Sequence, residues 1–102
     1  FKKLSEYDDN FTKFVSMLPD YYNRLKEAGY ELLGNELLEF AVEQGADSKN
    51  VYILLANAFI SMSKADRLAE LIEKAKQLNS LSRDGIVSML ERLQADTASA
   101  GN

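Results

Sequence analysis

Val51-Tyr-Ile-Leu-Leu-Ala-Asn-Ala-Phe-Ile-Ser-Met-Ser63 carries the clearest helical pattern in the chain. Tyr52, Leu55, Ala56 and Phe59 fall at helical spacing and mark one apolar stripe. The stripe returns at a spacing of 34 on both sides: Leu18, Tyr52 and Ile86; Tyr21, Leu55 and Met89; Tyr22, Ala56 and Leu90; Leu25, Phe59 and Leu93. A second series runs out of phase with it, through Leu4, Leu38 and Ile72, Tyr7, Ala41 and Ala75, and the pair Leu37 and Leu71. Two stripes recurring together at one long period describe helical hairpins that bury their apolar faces against one another rather than alone. The chain therefore reads as all-α.

Composition agrees with that reading and narrows the chemistry. With 102 residues the chain makes one small domain, and 46% apolar and 27% charged residues are ordinary for a globular protein. One proline and five glycines leave room for long helices. Cysteine and histidine are both absent, which removes disulfides, thiolate nucleophiles and the usual zinc, haem and iron–sulfur ligands. A net charge of −4 argues against nucleic acid, because phosphate binding needs a surplus of Lys and Arg on one face. No apolar run approaches the roughly 18 residues of a membrane span. Because the chain begins at Phe1, it is expected to be a piece of a longer or processed protein. A cysteine-free chain fits the cytoplasm, which is the expected location, and the periplasm alike.

Outward from the central stretch, the helices can be placed in order. Phe1 to Tyr7 reads as a helix end, and Asp8-Asp9-Asn10 offers capping side chains ahead of Phe11, Phe14, Val15 and Leu18. Pro19 should bend or restart that helix. Asp20 to Ala28 continues with Tyr21, Tyr22 and Leu25 inward, and Gly29 is placed as a left-handed stop. A helix over Glu31 to Gln44 carries Leu33, Leu37, Leu38, Phe40 and Ala41, with Glu36, Glu39 and Glu43 on its wet face. Asp47 or Ser48 can cap the next helix, and Ser63-Lys64-Ala65-Asp66 resembles a capping box that opens a helix to Leu78. Asn79 to Ser82 is a polar turn, Asp84 to Ala95 the last helix, and residues 96–102 a disordered tail.

Tyr52, Leu55, Ala56, Ala58 and Phe59, followed by Leu68, Ile72 and Ala75, resemble the two helices of a tetratricopeptide repeat. The resemblance is good over residues 49–82, weaker over 15–48, and limited to a capping first helix over 83–95. It implies a right-handed superhelix of antiparallel hairpins, five or six helices in all, over residues 1–95. It also implies that small residues meet where paired helices cross. Those places hold Tyr22 with Gly34 in one unit and Ala56 with Leu68 in the next, one large and one small each time with the order reversed.

Carried onto this chain, the resemblance implies a concave groove lined by the first helix of each unit. Asn23, Lys26, Asn50, Ile53, Asn57, Ile60, Val87 and Glu91 would meet a ligand there. Asn23 and Asn57 stand 34 apart and either form a ladder that hydrogen-bonds an extended peptide or are simply solvated. Ile53, Ile60 and Val87 either give the groove an apolar strip suited to an amphipathic helix or lie under a neighbouring helix. The basic clamp by which some relatives hold a carboxylate tail is not expected, since Pro19, Asp84 and Ser88 occupy its places. Glu39 and Glu43 are one turn apart, but with no histidine beside them they read as a solvated acidic face.

These features point to a non-catalytic protein-interaction module for a peptide or helix, with no cofactor and no metal. The alternative is an architectural or oligomerisation segment of a longer helical-repeat protein, itself able to form a homo-oligomer. RNA binding is disfavoured by the acidic balance. An enzyme is the reading with least support, because no nucleophile–base pair or phosphate loop is present.

Overall fold

A computed structural model describes the backbone of residues 2–100 and the side chains of residues 10–97. Over that span the chain is all-α, with α1 Lys2–Glu27, α2 Glu31–Glu43, α3 Lys49–Ser61, α4 Ala65–Lys76 and α5 Arg83–Ala100. There is no strand among the described residues.

Three helix ends share one chemistry. Gly29 (φ +90°) and Gly45 (φ +97°) sit in the left-handed region, and so does Ser63 (φ +57°). At the first, Gly29 N–H donates to the Lys26 carbonyl at 3.1 Å and Tyr30 N–H to the Leu25 carbonyl at 2.7 Å. Gly45 and Ala46 repeat that pair of bonds onto Val42 and Ala41, and Ser63 and Lys64 repeat it onto Ile60 and Phe59. Each pair satisfies the last carbonyls of a helix and turns the chain sharply. Gly29 and Ser63 stand one repeat apart, so the turn inside the hairpin is itself part of the period.

Several expected boundaries move for physical reasons. Ser63-Lys64-Ala65-Asp66 makes no capping box: Ser63 is already committed to the left-handed turn, and α4 starts after Lys64 without a side-chain cap. Ser48 caps α3, accepting from Val51 N–H at 3.4 Å, while Asp47 instead accepts from the Ser80 hydroxyl at 2.7 Å. That bond joins the α2–α3 loop to the α4–α5 loop. Neither Asp8-Asp9-Asn10 nor Pro19 starts a new helix, since α1 runs unbroken from Lys2 to Glu27. A cap needs non-helical backbone, and the chain is helical on both sides of Asn10; the side chains of residues 1–9 lie outside the described residues. Pro19 removes one donor, but α1 packs on both α2 and α3, which holds it across the gap. The last helix carries on past Ala95 to Ala100, because Asp96-Thr-Ala-Ser-Ala contains nothing that breaks a helix. Residues 101–102 lie outside the description.

The core is the repeat. Leu18, Tyr52 and Ile86 are buried, as are Tyr22, Ala56 and Leu90, Leu38 and Ile72, and Ala41 and Ala75. α3 is the hub and contributes Val51, Tyr52, Leu55, Ala56, Ala58 and Phe59, packing on all four other helices. Burying each large apolar side chain contributes about 1.5–3 kcal/mol before the entropy of ordering is set against it. α2 packs on α1 and α3, and α4 on α3 and α5. The molecule measures 53 × 34 × 17 Å, so its shortest dimension is about two packed helices deep.

The crossing of α1 and α2 carries the expected large–small match. A Cβ placed on Gly34 would lie 2.8 Å from the Tyr22 ring, too close for any side chain without repacking. The Tyr22 hydroxyl donates to Asn35 Oδ1 at 3.1 Å, which satisfies the buried amide.

Candidate interaction surfaces

The expected groove residues lie on three helices that pack in sequence, α1 on α3 and α3 on α5. Asn23 on α1, Asn50 and Asn57 on α3, and Glu91 on α5 are exposed, as is Lys26. Asn23, Asn57 and Glu91 occupy the same place in successive units, so the exposed polar position repeats with the fold. Ile53, Ile60 and Val87 are half-buried, and Ile60 and Val87 pack against the core. Ile60 lines a cavity of about 320 Å³ with Leu68 and with Gln94 and Thr97 of α5. Val87 lines another of about 370 Å³ with Lys76, Arg83, Asp84 and Ser88. The face therefore offers a polar strip flanked by partly covered apolar side chains, and the eight residues do not converge on one hollow.

The acidic residues of α2 are used within the fold. Arg67 of α4 donates to Glu39, and Lys74 lies 3.8 Å from Glu43, so both carboxylates bridge α2 to α4. The same Arg67 lies over the Phe59 ring at 5.2 Å, a cation–π contact. Among the described residues, no group of three Asp, Glu, His or Cys is placed to hold a metal. Tyr52 is buried in α3, and burial, reinforced by the Asp47 carboxylate, pushes its phenol up to about 12. Tyr22 is pushed up in the same direction, by burial first and Glu31 second.

A second surface escaped the sequence reading. Tyr21, Leu33 and Phe40 were expected inward, yet they are 50%, 46% and 50% exposed, beside Met17 at 67%. The register gives the reason. At the junction of the two hairpins, Leu55, Leu71, Arg67 and Lys74 meet Glu39, Val42 and Glu43 around a cavity of about 40 Å³. The positions one repeat earlier are Tyr21, Leu37, Leu33 and Phe40 on α1 and α2; Leu37 packs against the core, whereas Tyr21, Leu33 and Phe40 stay about half exposed, with no third described helix laid over them. Their periodicity marks them as apolar, but periodicity alone cannot say whether a neighbour is present. Phe14 and Phe40 meet edge to face at 6.5 Å and tie the two helices together there. On α1, Phe14, Met17 and Tyr21 border a hollow of about 430 Å³ with Asp20 and Arg24 at its rim.

No described helix is long and apolar enough to cross a membrane. No family model matches the chain, and neither a curated protein nor a solved structure matches it.

Proposed function

We propose that the protein is a non-catalytic interaction module of tetratricopeptide-like build, taking a peptide or amphipathic helix of a partner protein along α1, α3 and α5. The observation that carries this reading is the exposure of Asn23, Asn57 and Glu91, one per unit, on three helices packed side by side. A side-chain amide offers both a donor and an acceptor, so two of them at the repeat spacing suit the backbone of an extended chain. Glu91 at the third place adds a carboxylate, which favours a peptide with a cation or free N–H groups at that end. Ile53 beside this strip gives the ligand an apolar foothold.

Peptides selected for binding to the whole chain supply the test. Asn57→Ala should weaken such a peptide about tenfold, the loss of one or two hydrogen bonds, with the melting curve unchanged. Unchanged affinity in that variant, or selected peptides that perturb only the outer side of α1 and α2 in amide spectra, would overturn the assignment.

A further inference from the structure

The outer side of the first hairpin is built like a surface that is meant to be covered. Leu55 and Leu71, the counterparts of Tyr21 and Leu37, are buried because the first hairpin lies over them. The polar members of that junction have changed, however. Arg67 and Lys74 answer Glu39 and Glu43, whereas the matching places on the first hairpin hold Leu33 and Phe40. This substitution selects the occupant. A head-to-tail neighbour of the same kind would bring Glu73, Lys76 and Gln77, which stand one repeat after Glu39, Val42 and Glu43, onto Leu33 and Phe40. That would desolvate charges against apolar side chains. A two-fold pairing of this face with itself sets apolar on apolar.

We propose that this surface is a homodimer interface, with α1 of each copy laid on α2 of the other. The charges favour that crossing. Every charged residue of α2 is a glutamate, and Glu36 is exposed beside Leu33 and Phe40. Arg24 lines the α1 hollow together with Asp20, so α1 brings one cation and one acid to this face, and none of Asp20, Arg24 and Glu36 is in an ion pair among the described residues. Crossing α1 on α2 brings Arg24 towards the partner copy's Glu36, whereas α2 on α2 would set glutamate against glutamate. The hollow of about 430 Å³ bordered by Phe14, Met17 and Tyr21 is roomy enough for the ring of the partner copy's Phe40. At about 200 Å² for a large side chain, the four half-exposed residues present on the order of 400 Å² per copy. That is below the size of a permanent interface and corresponds to a weak dimer, with Kd on the order of micromolar. The interface lies on the outer side of the first hairpin, apart from the strip proposed for peptides, and stands or falls separately.

Light scattering of the whole chain through a dilution series reaching about 0.1 mM tests it. The mass should rise from 11.5 kDa towards twice that value. Met17→Glu with Leu33→Glu should hold it at the monomer with helical circular dichroism intact, while Leu81→Glu, at a fully exposed loop residue, should leave association unchanged. Arg24→Glu should weaken association about tenfold, and Arg24→Glu with Glu36→Arg should restore it. A monomer at every concentration, or a dimer that persists in the Met17→Glu/Leu33→Glu variant, would overturn the proposal. A dimer insensitive to Arg24→Glu would overturn the α1-on-α2 crossing.

Discussion

The two hairpins of this chain, α1–α2 and α3–α4, are built to one plan and differ where the plan must be closed. At the helix crossing the first uses Tyr22 over Gly34, and the second has Ala56 and Leu68 at the corresponding places, all four buried. At the turn the first uses Gly29 and the second Ser63, both left-handed. On the side facing the N-terminal end, the second hairpin buries Leu55 and Leu71, whereas the first leaves Tyr21 half exposed and Leu33 and Phe40 likewise. The repeat thus fixes where volume and backbone conformation go, and leaves open which residue supplies them.

Substitutions at the α1–α2 crossing are expected to have the largest effect. Tyr22→Ala empties the space over Gly34 and orphans the buried Asn35 amide, and should cost about 3–5 kcal/mol, read as a lower urea midpoint. Adding Gly34→Leu copies the arrangement of the second hairpin and should recover part of the loss. If the double variant is less stable than Tyr22→Ala alone, the two crossings are not exchangeable and the shared plan fails there. Gly34→Ala in the unaltered background is the milder probe. Its methyl would meet the Tyr22 ring at 2.8 Å, so a loss of about 1–3 kcal/mol is expected.

Most of the fold was legible because burial and helical spacing carry the same information. Leu18, Tyr52, Ile86 and their neighbours form a core that comparing the sequence with itself finds unaided. The glycine turns at 29 and 45 were legible for the same reason, since each glycine ends an apolar stripe. Ser63 was not, because serine is both a cap residue and a tolerable left-handed residue, and only the α3–α4 contact decides between them. Pro19 starts no new helix, because a local rule about one donor is set against two packed neighbours. The exposed apolar face of α1 and α2 was the hardest to see. A residue such as Phe40 has core chemistry, and its exposure depends on what lies beyond the hairpin. Of the candidate groove, the exposure of Asn23, Asn57 and Glu91 followed from register, whereas the half-burial of Ile60 and Val87 depended on where α5 sits.

Alkaline pH probes both hairpins through their buried tyrosines. The Tyr52 phenol is pushed from 10.0 up to about 12, so the fold favours its neutral form. The stabilisation is complete below pH 10 and is lost as the pH rises through the folded value of about 12, because the unfolded chain ionises first. Tyr22 shifts in the same direction. Stability measured by urea should therefore fall between pH 10 and 12, and Tyr52→Phe should flatten the fall. A pH-independent midpoint over that window would mean that the phenol reaches water in the fold.

The inter-hairpin ion pairs give a smaller effect. Arg67→Ala removes the bond to Glu39 and the stacking on Phe59, and should cost about 1 kcal/mol, part of it lost in high salt. Leu33→Ala, at the matching place on the first hairpin, should cost less than about 0.5 kcal/mol at concentrations where the chain is monomeric, because no described element covers it there. Equal losses at the two positions would mean that Leu33 is covered within the monomer.

The turn residues give a difference with opposite signs. Ser63 holds φ +57°, where a Cβ crowds the following carbonyl, and its N–H is already used on the Ile60 carbonyl. Ser63→Gly removes that crowding and keeps the bond, but it also loosens the unfolded chain, which offsets part of the gain. A net stabilisation of about 0.5 kcal/mol follows, the smaller term being the entropic one. Gly29→Ser should lose more than that, since φ +90° lies further from the left-handed minimum a side chain tolerates. Thermal melts of the two single variants suffice: a rise for Ser63→Gly with a larger fall for Gly29→Ser supports one shared turn. A fall in both would show that the Ser63 hydroxyl contributes at the α3–α4 turn beyond its backbone.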